Sequence, residues 1–417
     1  MDTGSLVHVV EEHADEASFL WLQRGSAVHA PHYTPSQFAD LDERLAAHID
    51  GLRVAGDVGW QCAAAALDNE GAEDFFPAAV LAAEAPDGRF DALVERAADA
   101  PDAVPGVASA LGWVAPEYLR GRVKAMVDDA APLRQKLGIA ACALHRKDPG
   151  PVLGRLLDGA VDSVRIRALR AAGELGRTDL AAQVQAAAVE PKPELRFWAA
   201  WSAVLLGDRF QAIEALEAVA LKPGPRQLRA LQLALQAVEP AAAHALLVAL
   251  SSVPDAARLR IMGAGFAGDA RYVPWLIEQM AQPALARIAA EAFVSITGAD
   301  FNLEQMEVPP PDGFEDGPTE DPDDESVELP EDLALPWPDV QKVRGWWDRH
   351  VARFSNGTRC FLGQPVTEAH CLAVLREGFQ RQRVAAALHL ALLRPGSVLF
   401  PTSAPAWRQQ RRLGEPG

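Results

Sequence analysis

Two groups of side chains in this chain carry donor atoms at spacings that invite a chemical reading. Near the N-terminus stand His8, His13, His29 and His32, with Glu12 and Asp15 beside them. A pair His29-x-x-His32 joined by another histidine or a carboxylate is a donor set for a zinc-like cation. The geometry argues against it. His8 and His13 are five residues apart and fall about 140° apart on a helix, so they share no ligand face, and His29 and His32 straddle a turn that contains Pro31. The second group is Cys360 with His350 and the pair His370-Cys371. Neighbouring residues on one helix diverge by about 100°, so two of these ligands point apart, and a free cysteine commonly packs as a small hydrophobe. No Gly-x-Ser-x-Gly elbow, P-loop or His-Glu-x-x-His motif occurs. The expectation is therefore no catalytic residue, no metal and no cofactor, and a chain that is not an enzyme.

What remains is chemistry of recognition, which a few aromatic and arginine anchors can carry. The candidates are Trp198, Trp201, Trp275, Trp346, Trp347 and Trp407, with Arg381, Arg383 and Arg408. Trp198 and Trp201 are three apart and can share a helix face, where burial between helices competes with partner contact. A second series, Arg165, Arg167, Arg170, Arg196, Arg229, Arg258, Arg260 and Arg287, recurs with the repeats described below. Pairing with nearby aspartates or carbonyls is the expected role of that series, ahead of a row that tracks phosphates.

The elements that must position these residues are repeated helices. The segment VRIRALRAAGELG (164 to 176) aligns with LRFWAAWSAVLLG (195 to 207), ARLRIMGAGFAG (257 to 268) and ARIAAEAFVSITG (286 to 298). The closing glycines Gly176, Gly207, Gly268 and Gly298 are spaced by 31, 61 and 30. The copy missing from the double interval is QLRALQLALQAV, with Val238 at the glycine position, and His145 marks the register one period upstream. Each copy has apolar residues at three and four spacing and is followed by a second helical piece, several of which open on Asp or Thr-Asp. Helix, glycine-closed turn and helix, about every 31 residues, resembles a short HEAT-like repeat. The fold expected is all-α, an α-solenoid of about seven such pairs over residues 55–302.

Residues 1–54 are expected to cap that array with two helices, the second beginning at Thr34-Pro35-Ser36. Residues 303–339 hold 14 acids and eight prolines without a Lys or Arg, the composition of an extended or disordered linker. It would serve as a solvated connector, or as an internal competitor for the basic residues that follow. Residues 340–417 carry 12 Arg or Lys against four acids and are expected to form a small basic helical module. Within it, QRQRVAAALHLALLR reads as an alanine-rich helix partnered by TEAHCLAVLREG, and LFPTSAPAWRQQRRL reads as an apolar lid with a basic end. The whole chain has a net charge of −18, which disfavours general nucleic-acid binding. No run reaches the roughly 18 apolar residues of a membrane span, and four sparse cysteines without a Cys-x-x-Cys pair fit a reducing compartment. The expected location is the cytoplasm.

Three stretches together carry a more specific resemblance: EEHADEASFLWLQRGSAVHAPHYT, LDERLAAHIDGLRVAGDVGW and the closing GFQRQRVAAALHLALLRPG with LFPTSAPAWRQQRRL. Taken with the short repeats, nearly the whole chain is similar to an uncharacterised family of bacterial HEAT-repeat proteins. Its members are often encoded near type VI secretion clusters, beside adaptor, spike-tip and effector genes. That resemblance implies a loading, chaperone or adaptor role and a protein partner, and it supplies no catalytic residues. The expectation is a protein-interaction scaffold; the alternatives are an enzyme of unknown chemistry on a HEAT-like frame and, third, a nucleic-acid-binding repeat protein.

Overall fold

The structure, a computed structural model, describes residues 3–314, 317 and 331–414. Among them the protein is all-α, with 22 α-helices and a single two-residue hairpin as its only sheet. The chain forms two compact units. The first gathers Met1–His29, Tyr33–Leu206 and Pro395–Gly417, and the second Ala30–His32 and Gly207–Arg394. These units cut across the divisions expected from composition. Residues 340–394 pack in the second unit and 395–414 in the first, so the basic C-terminal stretch is not one module.

In the first unit the helices Thr3–Ala27 and Pro35–Ala55 pack together. Thr34 starts the second of them as expected: its hydroxyl accepts from the Gln37 amide at 3.2 Å, and the Gln37 side chain accepts from the Thr34 amide at 2.9 Å. That reciprocal box, with Pro35 in the first turn, satisfies donors that a helix start leaves open. Leu41, Leu45, Ile49 and Leu52 recur at three and four spacing and are all buried. A row of helices follows, Ala72–Glu84, Val104–Trp113, Pro132–His145, Asp162–Glu174 and Pro193–Leu205, each packed on the next. Small residues let them approach closely. A Cβ on Gly173 would meet Ser202, whose hydroxyl donates to the Leu169 carbonyl at 2.7 Å.

The second unit continues the pattern with Gln227–Ala237, Ala257–Ala267 and Pro283–Thr297 in contact in order. The ends of the acidic stretch are packed here. Phe301 and Met306 are buried, the Val308 amide donates to Trp337 and the Asp339 amide to Met306, and Phe314 stands edge-on to Trp337 at 4.8 Å. Most of the remaining expected linker, 315–316 and 318–330, lies outside the described residues. The helix Val340–His350 buries Val343, Trp346 and Trp347. The antiparallel hairpin of Cys360–Phe361 with Gln364–Pro365 then leads into the paired helices Glu368–Glu377 and Gln380–Leu393.

Replacing Gly173 by Val should lower the unfolding free energy by roughly 3 kcal/mol or more, because neither the Cβ nor the Ser202 hydrogen bond can be accommodated without separating two helices. Urea titration followed by circular dichroism measures it.

Candidate functional site

Each helix in these rows ends with carbonyls that have no partner within the helix. In the first unit the C-terminal coda takes them up. The Gly396 amide donates to Leu205, the last residue of its helix, at 3.0 Å. The Leu399 amide donates to Glu174, again a last residue, at 3.1 Å. Arg412 Nη2 reaches the carbonyl of His145 at 3.3 Å, and Arg408 those of Gly112 at 2.6 Å and Trp113 at 3.5 Å. Arg146 faces the other way, donating Nε to the Leu399 carbonyl at 2.7 Å. Four consecutive helix ends thus hold one extended segment and the short helix Ala406–Leu413 that follows it.

The same rule governs the second unit. Arg359 places its terminal nitrogens on the carbonyls of Leu235, Gln236 and Val238, each at 2.6 Å, and its Nε on Ala267 at 3.2 Å. The Cys360 amide donates to Gly268 at 2.8 Å, Leu362 to Ser295 at 2.8 Å and Gly363 to Ile296 at 3.0 Å. Asp269 steadies the approach by accepting from the Gly357 amide, at 3.1 and 3.2 Å.

The repeat glycines therefore have a second task besides closing helices. Gly176, Gly268 and Gly298 adopt left-handed φ values of 67°, 69° and 67°, which glycine tolerates without a Cβ penalty. A Cβ there would also fall closer than 3.0 Å to the backbone of Gly396, Cys360 and Leu362 respectively. The substituted position, Val238, is extended rather than left-handed, and its carbonyl is one that Arg359 takes.

The coda is further locked at its far end. Arg24 and Asp42 form a buried ion pair at 2.5 Å; Asp42 also accepts the Ala406 amide at 2.7 Å, and Arg24 donates to the Ser403 carbonyl at 3.1 Å. Trp407 packs edge-on to Trp113 with centroids 4.8 Å apart. Trp113 stands edge-on to Phe76, and Phe76 stacks with Trp21.

The structure places the nine anchor candidates in or against the protein's own packing. Trp198 and Trp201 are 2% and 6% exposed and face each other, with Arg170 over the Trp198 ring at 4.8 Å. Trp346 is buried between Phe293 and His350, and Trp347 is buried beside Phe354. Trp275 is half-buried under Arg260. Arg383 is 2% exposed and spans the Leu375 carbonyl and the Gln380 amide oxygen. Arg381 pairs with Glu291 at 2.8 Å, and Arg408 and Trp407 belong to the coda. Spacing could identify these as anchors but not tell an internal anchor from an external one. Reasoning from sequence missed Arg359, Asp269, Arg24 and Asp42, whose partners lie far along the chain; the only local signal was the Asn356-Gly357 turn just before Arg359.

Among the described residues no group of three or more His, Cys, Asp or Glu side chains is placed to hold a metal ion. His13 and His48 do meet, Nδ1 to Nδ1 at 3.1 Å, as a two-membered contact. His370 is tied to the Phe361 carbonyl and His350 to that of Trp346. Burial raises the thiols of Cys360 and Cys371, the latter to about 11, so both are neutral and poor nucleophiles at physiological pH. A crevice of about 330 Å³ opens in the first unit near Leu157, Leu169 and Ala186, with the Arg165–Glu190 ion pair on its wall.

Two outcomes are expected. Gly121 has a positive φ of 74° but open space around it, so Gly121→Ala should cost only its backbone strain, about 1–3 kcal/mol, whereas Gly176→Ala, which meets the Gly396 backbone as well, should cost about 2 kcal/mol more and expose the coda to protease. The second is acid lability. Burial first, then Arg408, pushes His145 down to about 4, and burial with Arg359 pushes His389 down to about 3. Both are neutral when folded, while the unfolded chain takes up protons below about pH 6.5. Their contribution is present above that value and lost as pH falls toward 4, on the order of 3 kcal/mol for His145. Unfolding free energy measured from pH 7 to 4 should decline, and His145→Gln should flatten the decline.

No family model matches the chain, and no curated protein matches it in sequence.

Proposed function

We propose that this protein is a protein-binding scaffold that takes a peptide segment, a non-helical stretch followed by an arginine-bearing helical turn, along the ends of its helices. One observation carries the reading: residues 396–405 lie on the first unit as a non-helical stretch held by backbone amides, and the helix Ala406–Leu413 that follows sets its arginines on helix-end carbonyls. Helix C-termini carry partial negative charge, which suits arginine. Residues 1–302 also have a net charge of −12, so a basic segment is electrostatically complementary to them. The coda is the resident occupant, and a partner engages by exchange with it. The family resemblance would make that partner a secretion adaptor or effector met in the cytoplasm, with the chain acting as an accessory in its loading. Among the described residues no helix is long and apolar enough to cross a membrane.

The test is affinity capture from the native cell with the full-length chain and with a Trp407→Ala, Arg408→Gln variant whose coda is loosened. The scaffold reading expects a partner that the variant captures more strongly and that an excess of synthetic peptide 395–414 displaces. No partner, or one indifferent to both the variant and the peptide, contradicts it.

A further inference from the structure

Beneath the coda of the first unit, three guanidinium groups gather about one carboxylate, and a fourth stands beside one of them. Glu174 is 5% exposed and accepts from Arg170 Nε at 2.9 Å and Arg167 Nη1 at 3.1 Å, both from its own helix. Arg146 approaches from the turn after the preceding helix, where it adopts a left-handed φ of 54°. Arg412 adds a fourth cation through its bond to the neighbouring His145 carbonyl. Burial alone would raise the Glu174 carboxyl, but Arg170, Arg167 and Arg146 hold it down to about 2, so it is ionised. Arg146 is pushed down to about 10, by burial first and then, against the pull of Glu174, by Arg167, Arg412 and Arg170.

One carboxylate cannot balance the three guanidinium groups around it, and Arg167 is only 12% exposed at its side chain, where uncompensated charge is costly. The arginines also keep unused donors. A guanidinium has five N–H groups in a planar fork, and Arg167 and Arg170 each place one nitrogen on Glu174. None of their other nitrogens is among the buried side-chain atoms that lack a partner, and the part-exposed Arg170 presents its remaining donors to solvent. Arg170 is 42% exposed at its side chain, and its plane is fixed over the Trp198 ring. Excess positive charge, oriented forks and access for a small solute therefore coincide.

We propose that Arg146, Arg167, Arg170 and Arg412 form a binding site for a tetrahedral oxyanion, a phosphate or phosphoryl group, with Glu174 as the residue that positions two of the forks. Arginine forks match the oxygen spacing of phosphate and bind it with charge-assisted hydrogen bonds. The site requires no protein partner, though Arg412 belongs to the coda, so the complete site exists while the coda is in place.

The experiment uses the full-length chain, with calorimetry and thermal unfolding in inorganic phosphate against chloride at matched ionic strength. Saturable phosphate binding is expected, weakened roughly tenfold by Arg170→Gln. Arg155→Gln, on an exposed arginine that pairs with Asp128, should leave binding unchanged. Arg170 is half in solvent, so its variant folds even where Arg167→Gln does not. Glu174→Gln supplies a readout that a purely structural cluster would not move: destabilised in chloride, it should regain stability in phosphate, because the anion replaces the lost carboxylate. Competition by a phosphoserine peptide would identify a phosphorylated chain as the source of the ligand, and its failure to compete would identify the free ion. A response to phosphate no greater than to chloride, or undiminished binding by Arg170→Gln, overturns the proposal.

Discussion

A row of packed helices creates an obligation at every helix end, because each C-terminus presents carbonyls that the helix itself cannot satisfy. A surface helix can leave them to water. Here the ends are covered, and residues far along the chain have to supply the donors. In the first unit the amides of Gly396 and Leu399 and the side chains of Arg408 and Arg412 do so; in the second, Arg359 and the amides of Cys360, Leu362 and Gly363. Both solutions use the same two devices, a backbone amide laid against a glycine-closed turn and a guanidinium spanning several carbonyls. A guanidinium suits the task because its five donors lie in one plane and stay charged at any physiological pH.

This constraint explains why the periodicity was legible and its purpose was not. The spacing of Gly176, Gly207, Gly268 and Gly298, with apolar residues at three and four intervals, is a local signal and led directly to helices that close on glycine. The start at Thr34 was equally local, since a capping box needs only four residues. Nothing local says that the Cβ-free face of Gly176 receives Gly396, because that contact spans more than two hundred residues. The basic C-terminal stretch was misread as one module for a related reason. It is basic throughout, yet its arginines find partners in different units, with Arg359, Arg381 and Arg383 in the second and Arg408 and Arg412 in the first.

The aromatic anchors show the same limit from the other side. Tryptophan and arginine dominate both interfaces and cores, since each combines a large apolar area with a polar handle. Trp346 and Trp198 read as possible contacts for a partner, and they sit among Phe293, His350 and Arg170 of their own units. What distinguishes the first unit is instead the local excess of arginine around Glu174 and along the coda, set in a chain whose first 302 residues are strongly acidic. The scaffold proposal accordingly rests on where cations are concentrated rather than on exposed aromatic surface.

The measurement closest to the centre of this account is hydrogen exchange of the backbone amides of Gly396, Leu399, Cys360, Leu362 and Gly363. These bonds are part of the folded structure if the helix-end rule holds, and the five amides should then exchange as slowly as amides inside the helices they cap. Exchange at the rate of an open loop, with the helices remaining protected, would contradict the claim that the C-terminal segments complete the fold.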